Sequence, residues 1–188
     1  IAFPIQMLIS AFAQMFGMGS ASIISRRLGE KNEKAAAAAA GTALSATVLF
    51  ALLISILGTI FMDPILTAFG ATGEILPFAR EYLSIILYGS VFLSLSMAAN
   101  SIIRAEGKAK TAMLIMVIGT GANILLDPLF IFGFGLGIKG AAIATVVSQF
   151  FASLFVIRFF IKNESTLPLQ LSSFIIKFRE LREMIVLG

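Results

Sequence analysis

The chain of 188 residues has no cysteine, no histidine and no tryptophan, only two tyrosines, and just 13% charged residues. Without cysteine it forms no disulfide and no thiolate metal site, and it gives no sign of its redox compartment. Without histidine it lacks the usual proton carrier at neutral pH and the commonest metal ligand. A single acid, Asp127, falls inside its apolar runs. No nucleophile–base pair or metal constellation can be assembled from such a set, so an enzyme is not expected. A soluble domain carries roughly 25% charged and 45–50% apolar residues. This chain is 59% hydrophobic, has 18 phenylalanines and reaches a mean hydropathy of +1.00.

Several apolar runs reach the roughly 20 residues that a helix needs to cross about 30 Å of hydrocarbon. The chain therefore reads as all-α, a polytopic membrane helix bundle. Its five spans run from about Ile1 to Ile24, Ala35 to Phe61, Tyr82 to Ile103, Thr111 to Phe132 and Ala141 to Ile161. The Ala35–Ala40 run is a strong helix former. Ser, Thr, Gly and Ala recur in every span, as they do where membrane helices pack closely. Ile1 already lies in an apolar pattern and a new hydrophobic element begins at Met184–Gly188, so a piece of a longer protein is expected.

Charge fixes the orientation. Arg26, Arg27, Lys31 and Lys34 occupy the first connection, Arg104, Lys108 and Lys110 the third, and Arg158, Lys162, Lys177, Arg179 and Arg182 the tail. The second connection, Met62 to Phe78, has Asp63 and Glu74 with Arg80 just after it, and the fourth has only Lys139. Bases gather on the cytoplasmic side of membrane proteins. Loops 25–34 and 104–110 and the tail are thus expected in the cytoplasm, in a cell-membrane protein. The net charge of +4 then reflects topology and needs no nucleic-acid partner. The tail, "KNESTLPLQLSSFIIKFRELREM", reads as an amphipathic linker lying at the cytoplasmic interface. "SIISRRLGEKNEK" and "SIIRAEGKAK" echo each other, either as two basic helix ends closed by glycine or as a trace of the helix-pair repeats common in transporters.

"GANILLDPLFIFGFGLG" places Asp127 directly before Pro128 in an otherwise apolar or small stretch. A charged Asp at the centre of a membrane helix costs roughly 2.5–3.5 kcal/mol on insertion scales. Pro128 has no N–H to give the Ile124 carbonyl, and its ring bends the helix. Asn123 shares a face with Asp127 one turn earlier. A bend, a freed carbonyl, an amide and a carboxylate together suit a cation or proton. The alternative is a solvated helix end at the outer interface, although Phe130, Ile131, Phe132 and Phe134 still follow. Asp63, also before a proline, reads as a cap or span boundary. Tyr82, Asn100, Thr145, Ser148 and Gln149, with Gln6 and Gln14, are polar groups that line a cavity or bond helix to helix. Gly133, Gly135, Gly137 and Gly140 read as a flexible outer turn. They are not a dinucleotide loop, since no strand precedes them.

"GMGSASIISRRLGEKN", "EYLSIILYGS…IIRAEGKAKTAM", "NILLDPLFIF" and "GLGIKGAAIATVVSQ", in this order, resemble the multidrug and toxic compound extrusion (MATE) family, in its prokaryotic branch with Asp and Asn on the fifth helix. The resemblance spans nearly the whole chain. It implies a twelve-helix transporter of two six-helix lobes, with residues 1–162 as helices two to six of the amino-terminal lobe. Residues 163–188 are then the cytoplasmic connection and the start of the next helix. The first helix, its acid and the carboxyl-terminal lobe are absent from this stretch. It implies export of cationic or amphipathic drugs in exchange for protons or sodium, without an organic cofactor, in contact with membrane lipids. The cation site is then Asp127 with Asn123, supported by Tyr82, Asn100 and Thr145, and sodium, if it is the coupling ion, sits on Asp127 and Asn123. A flippase of the same superfamily for lipid-linked saccharides is the nearest alternative. It would want basic residues within the spans, which hold essentially none. A non-transporting membrane subunit is the other.

The distribution of bases makes a direct prediction. In the full-length protein, a single cysteine at Gly73 should react with an impermeant maleimide added outside the cell, and one at Lys108 should not. Labelling at Lys108 with none at Gly73 would reverse the orientation.

Overall fold

The computed structural model describes residues 3–162 and 164–188. Ile1 and Ala2, at the head of the first expected span, and Asn163, at the head of the tail, lie outside the described residues. The chain forms α1 (Phe3–Gly29), α2 (Glu33–Ile60), the short α3 (Met62–Ala68), α4 (Leu76–Ala105) and α5 (Ala109–Pro128). A π turn at Leu129–Gly133 extends α5 and is followed by α6 (Gly137–Ile161), a 3₁₀ turn (Leu171–Phe174) and α7 (Phe178–Leu187). Among the described residues there is no strand. α1, α2, α4, α5 with its π turn, and α6 are each long and apolar enough to cross a membrane. They match the five expected spans, with the largest extensions where α1 continues to Gly29 and α4 begins at Leu76.

Local chemistry sets the starts. Asn32 caps α2 by accepting the Ala35 N–H at 3.1 Å, and Pro77 sits in the first turn of α4, where its missing N–H is no loss. Lys31, at φ 57°, is the left-handed residue after α1, so Gly29 is not the cap that the sequence echo suggests; after α4, Gly107 at φ 79° is. Both Ile-Ile pairs of that echo, Ile23–Ile24 and Ile102–Ile103, are fully buried in one core.

α4 is the central helix, packed against α1, α2 and α6. Alanines 36 to 40 of α2 are buried, and their small size lets helices approach closely. One core lies at the end bearing the basic loops, around Ile23, Ile102, Ile103, Val156 and Phe159. A second lies toward the other end, around Ile5, Ile9, Leu66, Leu83 and Leu87. α3 and the start of α4 occupy what the sequence suggested was one loop. Asp63 stands in the first turn of α3, where a carboxylate suits the helix dipole. Arg80 grips it with two hydrogen bonds of 3.0 and 2.6 Å.

The tail is docked on the bundle. α7 packs on α1, with Met184 fully buried and Glu183 paired to Arg26. Gly19 makes this possible, because a side chain there would strike the Met184 backbone. The stretch before α7 is tied down as well. The Glu106 side chain, with no exposed surface, accepts hydrogen bonds from the Ser165 hydroxyl (2.8 and 2.9 Å), the Thr166 N–H (2.8 Å) and the Thr166 hydroxyl (3.1 Å). Lys108 lies 3.7 Å from that carboxylate and donates to the Glu164 carbonyl.

Glu106→Ala should lower the unfolding free energy by about 1.5–3 kcal/mol, the worth of hydrogen bonds to a charged acceptor. It should also open residues 164–170 to limited proteolysis. Glu164→Ala should change neither, because only the main-chain carbonyl of Glu164 is used.

Candidate functional site

The π turn after Pro128 shapes the candidate site. A proline inside a helix removes one donor, and a turn of i→i+5 bonds absorbs the mismatch without ending the helix. Here the Phe134 N–H donates to the Leu129 carbonyl at 2.9 Å, the first carbonyl of that wider turn. Gly140 fits against it, since a side-chain carbon there would come within 2.6 Å of the Phe130 carbonyl oxygen. Gly140 is therefore a buried packing residue of α6 and no part of a flexible outer turn.

Asp127 lies six residues before the end of this helix, about 9 Å along the axis. It stands in the third of the span remote from the basic loops and not at its centre. It is half-buried. The Asn123 amide donates to an Asp127 carboxylate oxygen at 3.2 Å and reaches the Thr145 hydroxyl of α6 at 3.5 Å. Thr145 in turn donates to the Ala141 carbonyl at 2.9 Å. A carboxylate, an amide and a hydroxyl thus meet across two helices. Their oxygens are hard donors of the kind that take a proton or a small cation. Among the described residues no group of three or more His, Cys, Asp or Glu converges, so the acid here acts singly.

The other expected residues divide. Asn100 donates to the Ala112 carbonyl at 2.6 Å, tying α4 to α5. Ala112 precedes Asp127 by fifteen residues, about 22 Å along the helix. Asn100 is therefore separated from the Asp127 cluster. Tyr82 is half-buried near the start of α4, beside Glu81, which pairs with Lys139 of α6 at 2.9 Å. Among the described residues no hydrogen bond joins Tyr82 to Asp127, Asn123 or Thr145. Ser148 is buried and donates to the Ala144 carbonyl at 2.7 Å, as helix–helix packing alone would have it.

Asn100 belongs to a second feature, a cavity of about 360 Å³ between α1, α4, α5 and α6. Gln14, Gln149, Thr120 and three methionines line it, with Arg104 at its basic-loop end. The buried Ser96 hydroxyl, also on its wall, has no hydrogen-bond partner among the described residues. Gln14, Asn100 and Gln149 each stood out in the sequence as isolated amides. Their convergence depends on helix rotation, which hydropathy does not report.

These features define a multi-pass helical membrane protein that carries polar groups inside its bundle. The MatE family model matches residues 1–129, and the chain belongs to that family. It is similar to the multidrug export protein MepA of Staphylococcus aureus, 30% identical over 91% of this chain and 38% of that protein. The MepA of Staphylococcus haemolyticus is 33% identical over 89% of this chain and 37% of its own length. A crystal structure of MATE in complex with MaD3S superposes with a TM-score of 0.94 at 35% identity, covering 99% of this chain and 42% of that one. The chain thus spans about two fifths of the length of these relatives. By their names the curated relatives are export proteins, not enzymes.

Gly140→Ala should destabilise the protein by about 1–3 kcal/mol, the usual cost of overpacking, as read by thermal unfolding in detergent. Gly29→Ala, where nothing stands within 4 Å, should be neutral or slightly stabilising.

Proposed function

We propose that this chain is part of an exporter in the cytoplasmic membrane that expels cationic or amphipathic drugs in exchange for protons or sodium ions. The observation that carries the reading is the Asn123–Asp127–Thr145 cluster, a lone acid joined across two helices in apolar surroundings. The names of the relatives, the family and the order of the motifs support it. On this reading α1, α2, α4, α5 and α6 are helices two to six of the amino-terminal lobe. Residues 163–188 then form the cytoplasmic connection toward the rest of the transporter, with loops 25–34 and 104–110 inside.

Asp127 takes up the coupling proton, or holds sodium with the Asn123 carbonyl oxygen and the Thr145 hydroxyl. Pro128 and the π turn set the width of the helix beside it, and Gly140 keeps that turn against α6. Tyr82 lies near the start of α4, toward the end remote from the basic loops, and Asn100 lines the amide and methionine cavity. Methionines adapt to ligands of varied shape, and neutral amides orient polar groups without fixing a charge. Drug and ion exclude one another, so loading one releases the other. One charge moving down about 100 mV yields roughly 2.3 kcal/mol, and a tenfold proton gradient adds about 1.4 kcal/mol. Together they sustain a drug gradient of roughly a few hundred-fold.

Asp127→Asn keeps the shape and removes the charge. In the full-length protein it should abolish gradient-driven drug resistance with expression nearly unchanged, since a neutral amide is cheaper to bury. Asn123→Ala should weaken coupling less, and Pro128→Ala should lower transport while the protein still inserts. Export by Asp127→Asn equal to the parent, with the same cation dependence, would make the carboxylate structural.

A further inference from the structure

The bundle carries one apolar groove on the face between α2 and α6, away from both polar clusters. It has a volume of about 600 Å³, with Leu49 and Leu52 on one wall, Ile157 and Ile161 on the other and Leu95 of α4 behind. Its one polar side chain, Ser45, already donates its hydroxyl to the Phe174 carbonyl at 2.8 Å. Nothing else in the walls offers a side-chain hydrogen bond. One end has a floor made by Phe174 and Ile176, held to α2 by Ser45 and by Thr42, whose hydroxyl donates to the Ile175 carbonyl at 3.5 Å.

The floor is also the basic end. Lys162 follows Ile161, Lys177 follows Ile176, and both lysines are exposed. Directly below, Lys34 and Lys177 share a polar cavity of about 430 Å³ with Gln170, Ser172 and Ser173. Among the described residues no carboxylate lies within 4 Å of Lys34, Lys162 or Lys177, although Glu33 and Glu164 are near in sequence. An apolar groove in the membrane with Lys34, Lys162 and Lys177 at its basic end matches one chemistry: an acyl chain below a negative headgroup.

We propose that this groove is a binding site for a single anionic phospholipid of the leaflet on the basic side, with a tail between α2 and α6 and the phosphate at Lys162, Lys177 and Lys34. A cationic amphipath would meet three positive charges at that end. Bases near a membrane surface attract anionic lipid, and each is worth about a fivefold change in occupancy.

The test is native mass spectrometry of the full-length protein released from nanodiscs of equimolar phosphatidylglycerol and phosphatidylcholine with identical chains. Phosphatidylglycerol should be retained on the protein at least tenfold over phosphatidylcholine. Lys162→Gln/Lys177→Gln should remove most of that preference, and Leu49→Trp, which fills the groove, should lower retention of both lipids. Thermal unfolding of each variant confirms that it is folded. Glycerol phosphate alone should not compete, since it has no tail for the groove. Equal retention of the two lipids by the parent, a preference untouched by the double variant, or capture of a cationic amphipath in place of lipid would each overturn the proposal.

Discussion

Hydrocarbon supplies no hydrogen-bond partner, so each polar group that this chain carries into the membrane has to find one within the protein. Most hydroxyls turn back to their own helix: Ser20 to the Gly17 carbonyl at 2.9 Å, Ser148 to Ala144 at 2.7 Å, Ser153 to Phe150 at 2.7 Å. A hydroxyl satisfied in this way is nearly as small and inert as alanine, and it lets helices approach closely. Groups too large for that solution bridge elements instead. Asn100 fastens α4 to α5, and Asn123 lies between Asp127 and Thr145. The buried hydroxyls of Thr47 and Ser96 do neither, and of the two Ser96 is the one that borders the amide cavity.

The support of α5 is uneven. Its buried residues, Ala112, Ile115 and Gly119, all lie in the half nearer the basic loops, where Asn100 also bonds. The half that bears Asp127 packs instead through Asn123 and Thr145 and through the backbone contact of Gly140 with the π turn. Regions with few buried apolar contacts open most readily. The acid is thus set in a segment whose position depends on a few polar and close-backbone contacts and not on a thick core.

Hydropathy and charge made the five spans legible, because both are sums over many residues and tolerate local exceptions. α3 escaped, since seven residues in a polar connection carry too few turns for a periodic signal. The Asn123–Asp127 pair was visible because a separation of four residues fixes a common helix face without any tertiary information. Thr145 and Asp127 belong to different helices, and only the family resemblance suggested that they meet. The same resemblance grouped Asn100 with them, and axial distance along α5 separates it. The docking of α7 was hidden because it depends on the surface of α1, where Gly19 leaves room for the Met184 backbone.

The connection from α6 to α7 covers residues 162–177, long enough in sequence to pass for a slack tether. It has little slack. Ser165 and Thr166 are fixed to Glu106, Leu167 is buried in the core, and Phe174 and Ile175 are fixed to α2. The freedom of a flexible chain grows with its unattached length, and here the longest unattached run is only the few residues between Leu167 and Phe174. Mechanically the segment is a strap and not a string. Force on α7 passes directly into α1, α2 and the α4–α5 loop, and a tilt of those helices carries α7 with it.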